Sequence, residues 1–127
     1  MPILYAADAP RFVLPGAPAT TLTGLAAPSR GARETSVWRV ALDGGTPAAA
    51  HALDHEEIIV GLGGHAVAHL GTTECPIGPG DTIIVPAGES FSLANPHTET
   101  FEAIAVLPVG GRAALGNGEW FTPPWTE

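Results

Sequence analysis

Cysteine is all but missing from this chain of 127 residues: Cys75 stands alone, so no internal disulfide can form, and a reducing compartment suits it. Positive charge is scarce as well. Five basic residues face thirteen acidic ones, a formal charge of −8, which repels phosphate backbones and anionic bilayers and argues against nucleic acid as a partner. No apolar run approaches the roughly 18 residues of a bilayer span, so no membrane crossing is expected. The opening Met1-Pro2-Ile3-Leu4-Tyr5 is too short for a secretory segment before Asp8 interrupts it, and a cytoplasmic location is the expectation. A helical period is the last absence. The nearest candidate, around Ala48–Glu57, has Pro47 at a suitable first position but no continuous apolar face.

What remains is the material of short strands and tight turns. Only 14% of residues are charged while 45% are hydrophobic, and the 16 glycines and 13 prolines follow no collagen-like period. In TSVWRVAL, Ser36, Trp38 and Val40 share one face and Val37, Arg39 and Ala41 the other, which is the period of a strand. Further strands are expected over Glu57–Leu62, His65–Leu70, Thr73–Cys75, Thr82–Val85, Phe91–Ala94 and Thr100–Leu107. Gly63-Gly64 suits a primed hairpin turn joining the first two of these. One domain accounts for the length. Its core spans residues 34–108. Residues 1–33 form a lead-in with short strands near Phe12–Leu14 and Thr20–Leu25, packed on the core or on a partner subunit. Residues 109–127 form an aromatic, proline-rich tail suited to lying across the outside, with Trp120, Phe121 and Trp125 as anchors. Strands at roughly ten-residue spacing point to a sandwich or barrel. Glu57–Val60 and Phe101–Leu107 are apolar on both faces, which calls for a second layer. A homodimer is therefore expected.

Two segments carry a family resemblance. Gly45-(five residues)-His51-Ala52-Leu53-(three residues)-Glu57-(six residues)-Gly64 resembles the first motif of the cupins, in which position 53 is a second histidine. Gly80-(five residues)-Pro86-Ala87-Gly88-(two residues)-Phe91-(three residues)-Asn95 is similar to their second motif, in which position 91 is a third histidine. The resemblance implies an all-β, double-stranded β-helix (jelly-roll) barrel of the RmlC-like type. It carries metal-ligand roles to His51 and Glu57 and withholds them from Leu53 and Phe91, which have no lone pair to offer.

Three functions follow from this degenerate pattern. In the first, the barrel binds a small, partly apolar or aromatic molecule without a tight metal, in a pocket lined by Leu53, Phe91, Trp38, Ile59 and Leu93. In the second, a substitute histidine, His55 or His69, joins His51 and Glu57 around iron, zinc, nickel or manganese. The resemblance would then allow an isomerase, lyase, cyclase or dioxygenase with an open coordination position. In the third, side chains fill the barrel and its role is structural. If Glu57 points inward its carboxyl must be paired, hydrogen-bonded or protonated. His51 is the expected partner, and the two are candidates for an acid/base pair without metal.

Overall fold

The computed structural model describes residues 1–14, 16–116 and 118–127. Its strands stack as two six-stranded sheets. The first has the spatial order β1 (Arg11–Leu14), β2 (Ala17–Ala26), β3 (Thr35–Leu42), β10 (Phe101–Pro108), β5 (Glu57–Gly63), β8 (Thr82–Val85). The second runs β12 (Glu119–Phe121), β11 (Ala113–Leu115), β4 (His51–Leu53), β9 (Phe91–Ala94), β6 (Ala66–Leu70), β7 (Thr73–Ile77). All pairings are antiparallel. Two such sheets facing each other across an apolar interior make the jelly-roll barrel expected from the sequence. Helical backbone among the described residues is confined to 3-10 turns at Ala6–Asp8, Pro28–Arg30 and Pro124–Thr126, and no helix there is long and apolar enough to cross a membrane.

Alternation of side chains decides which face of each strand is buried. On β3, Ser36, Trp38 and Leu42 are buried while Arg39 turns to solvent and donates to Glu102 Oε2 at 2.6 Å. On β10, Phe101, Ala103, Ala105 and Leu107 all point inward and are essentially inaccessible. Full burial of a side chain such as Phe101 or Leu107 contributes about 1.5–3 kcal/mol, so this row anchors the core. Alanine at 103 and 105 keeps the middle of the row thin. Turns are set by chemistry read directly from the sequence: Gly64 and Gly88 have φ of 69° and 80°, and Asp81 Oδ2 accepts from the Gly78 amide at 2.8 Å.

Three expectations are corrected. Gly63-Gly64 does not close a hairpin, because β5 pairs with β10 and β8 whereas β6 pairs with β7 and β9. Both edges of β5 are thus occupied, and the two glycines carry the chain from one sheet to the other. A Cβ on Gly64 would run into the carbonyl of Thr100. The strands expected before residue 34 form as β1 and β2, but β2 is longer than the expected Thr20–Leu25: it extends over ten residues, despite Pro18, and pairs with β3 along the sheet. The tail does not lie across the outside. β11 completes the edge left by the three-residue β4, and the aromatic end folds against the interior. Ser36 Oγ donates to the Thr126 carbonyl at 3.2 Å, and the Ser29 amide to the Glu127 carbonyl at 2.7 Å, which fixes residues 126 and 127 to β3 and to the 3-10 turn that precedes it.

Candidate functional site

Between the sheets lies a cavity of about 410 Å³. Its volume is within the ordinary range for small-molecule sites, roughly 300–1,000 Å³. Strand parity assembles the wall. β4 turns His51 and Leu53 inward; β5 turns Glu57 and Ile59 inward; β3 supplies Trp38, and β9 supplies Phe91 and Leu93. Phe121 and Trp125 close part of the same wall from the chain end. Trp125 stacks obliquely on Trp38 and on Phe12, with ring centroids 6.4 Å apart in both cases. These two tail residues were read from the sequence only as anchors. Their aromatic density was the available signal, but nothing in the motifs reached that far along the chain.

The polar groups on this wall are few. His51 pairs in register with Phe91, and their ring centroids are 4.2 Å apart. His51 Nδ1 lies 3.2 Å from the carbonyl oxygen of Ala49, which can only accept, so Nδ1 carries the proton and Nε2 keeps its lone pair. Burial lowers the imidazole below its ordinary 6.5, partly opposed by that hydrogen bond, and the ring is neutral at pH 7. Glu57 is 4% exposed, and its Oε1 is buried with no hydrogen-bond partner. Loss of hydration pushes its carboxyl from 4.5 up to about 8, so the group is protonated at neutral pH. His51 is therefore not the partner of Glu57: no hydrogen bond joins them, and protonation is how the barrel tolerates the acid. Trp125 Nε1 is a second buried atom without a partner.

The remaining histidines lie elsewhere. His55 is exposed before β5, where its Nδ1 meets Asp54 Oδ1 at 2.8 Å. Burial alone would raise the Asp54 carboxyl. Hydrogen bonds from the Arg112 amide at 2.6 Å and from His55 outweigh burial and hold it low. His69 alternates with the fully buried Ala68 and so faces outward, 3.6 Å from Glu74 on β7. Exposed His65 and His97 meet edge to face at 6.2 Å. Neither His55 nor His69 joins His51 and Glu57 on the cavity wall.

The cavity residues do not fit a resident metal. Of the four positions that the motifs would use, two present hydrocarbon, and the Phe91 ring stands against the imidazole where another donor would be needed. Among the described residues no three His, Cys, Asp or Glu side chains gather as a metal-binding group. Two donors and water make a weak site.

A jelly-roll barrel with these two motif segments on facing strands defines a class, and the family comparison agrees. The model of the Cupin domain matches residues 38–107, more than half of the sequence, and the chain belongs to the cupin family. Among solved structures, the polyketide cyclase RemF from Streptomyces resistomycificus is similar with a TM-score of 0.76 at 23% identity, over 85% of this chain and 79% of that one. A cupin-superfamily sugar phosphate isomerase from Silicibacter pomeroyi also gives 0.76, at 19% identity over 91% and 82%. An RmlC-like cupin from Shewanella frigidimarina gives 0.69 at 14%, over 83% and 87%. At these identities the likeness is one of fold. No curated protein matches the sequence.

Proposed function

We propose that this cupin binds a small, partly apolar or aromatic molecule inside the barrel, without a tightly held metal. One observation carries the proposal: a cavity of about 410 Å³ walled by hydrocarbon and aromatic rings around a single unpaired carboxyl. Burial of an apolar body there gains about 25 cal/mol per Å², and Glu57 and His51 supply the few polar contacts that orient it. The neutral, flat probe N-phenyl-1-naphthylamine tests this. Its fluorescence is expected to rise saturably at one probe per chain. Val40 is half-buried on the cavity wall, so Val40→Phe extends a ring into the void rather than into packed core; the fold survives while probe affinity drops by about tenfold or more. Unsaturable uptake, or a variant that binds as well as the parent, rejects the proposal.

A specific observation favours a second function on the same wall, acid/base chemistry without metal. Glu57 holds a proton near neutral pH and His51 Nε2 is free to accept one, which suits them as general acid and general base.

We also propose a homodimer formed through the outer face of the first sheet. Val37, Val106, Ile58 and Ile84 are cross-strand neighbours and form an apolar row on that face, with Ile84 61% exposed. Arg39 and Glu102 flank the row on the same face and already pair with each other at 2.6 Å, so covering the row leaves neither of these charges unmatched. Sedimentation is expected to give twice the 12.9-kDa chain mass, and Ile84→Glu to give the single mass. A parent protein that sediments as one chain at high concentration rules the dimer out.

A further inference from the structure

We infer, building on the ligand-binding proposal above, that the cavity selects an organic cation: a protonated amine whose ammonium sits against the Glu57 carboxyl while its apolar body lies among Trp38, Phe91, Phe121 and Trp125. Among the described residues the wall contains no arginine or lysine. Arg39 and Arg112 are engaged outside, with Glu102 and Asp54 respectively. The protein thus places an acidic group in a largely apolar interior and supplies no cationic side chain to match it.

The polar side chains on the wall are Thr20, Thr46, His51, Glu57 and the indole N–H of Trp125, and the two ionisable ones, His51 and Glu57, can accept hydrogen bonds. His51 Nε2 offers a lone pair, because Nδ1 is committed to Ala49. Glu57, once ionised, offers two oxygens, one of them already buried without a partner. An ammonium brings the N–H donors that this pair lacks, and a charge-assisted bond is roughly twice as strong as a neutral one. Four aromatic side chains on the same wall add a third attraction, since ring faces draw cations more strongly when water is excluded. A neutral alcohol of the same shape gains only burial and one ordinary hydrogen bond. An anion meets the carboxyl and a chain of formal charge −8.

Titration calorimetry with the full chain near pH 8 separates these cases, using 2-phenylethylammonium, 2-phenylethanol and phenylacetate as probes. The ammonium is expected to bind at least about tenfold tighter than the alcohol, and phenylacetate not measurably. Glu57→Gln removes the charge but keeps the shape. It is expected to cut ammonium affinity about tenfold and to leave the alcohol within about threefold. If the alcohol binds as tightly as the ammonium, or if Glu57→Gln leaves the ammonium unaffected, charge selection is wrong while the small-molecule cavity stands. If none of the three binds, both fall. The comparison of probes on the parent protein holds even if the variant fails to fold.

Discussion

Glu57→Gln is expected to flatten the pH dependence of stability. In the unfolded chain this carboxyl titrates at its ordinary 4.5; in the folded barrel burial raises it to about 8. The folded state therefore holds the proton more tightly. Its contribution to stability is complete below pH 4.5 and drains away as the pH rises through 8, because the unfolded state then gains by ionising where the barrel cannot. The gap between 4.5 and about 8 corresponds to about 5 kcal/mol. Whole domains have stabilities of about 5–15 kcal/mol, so the parent protein should approach marginal stability in alkali. His51 acts in the opposite sense and in another window. Its lowered imidazole contributes stability that is present above the ordinary 6.5 and lost as the pH falls below it. Between pH 6.5 and about 9 Glu57 acts without it, and about 2 kcal/mol of the decline falls there. Urea midpoints across that interval are the measurement. A parent protein equally stable at both ends, or a glutamine variant that declines in parallel, refutes the burial of an unpaired acid.

The architecture was legible because its punctuation is local. Gly64, Gly88 and Asp81 make turns through their own φ or side chain, and TSVWRVAL shows its two faces without help from the rest of the molecule. Connections between strands were not legible in the same way. Gly63-Gly64 satisfies a hairpin and a sheet-to-sheet crossing equally well, and only the occupied edges of β5 decide between them. β2 was underestimated because its buried row includes Thr20 and Gly24 beside Leu22, residues that carry little apolar signal.

At the site, parity along each strand brought His51, Leu53, Glu57 and Ile59 to one wall, because 51 and 53, like 57 and 59, differ by two. Parity could not orient β6. His65 and His69 share a side, but which side depends on Ala66 and Ala68 packing at 0% exposure against the core. Nor could it supply a partner for Glu57, since nearness in a motif is not distance in space. The aromatic tail was beyond any motif. Phe121 and Trp125 reach the cavity only because β11 docks on β4, with the Arg112 amide and guanidinium held by Asp54.

Restoring the two missing donors should convert the cavity into a metal site. Leu53→His and Phe91→His, introduced together, would stand with His51 and Glu57 on an interior that all four positions already line. Residue 91 is the cross-strand neighbour of His51, with ring centroids 4.2 Å apart, so an imidazole there begins close to the existing donor. Without metal the double variant is expected to lose about 2–5 kcal/mol, since Leu53 and Phe91 are 3% and 2% exposed and polar rings replace packed hydrocarbon. Zinc or nickel should reverse that loss. Four converging ligands of this kind support a Kd of about 1 µM or below, about 8 kcal/mol of binding free energy. Binding also deprotonates Glu57, because a cation beside it reverses the preference that burial imposed. Thermal melts with metal and with chelator, beside elemental analysis of untagged protein, give the result. The parent is expected to take up no stoichiometric metal and to show no chelator effect. A double variant that folds yet binds no metal would mean that these four side chains do not converge, and a parent that already holds one ion per chain would mean that two donors suffice where hydrocarbon was thought to have replaced the rest.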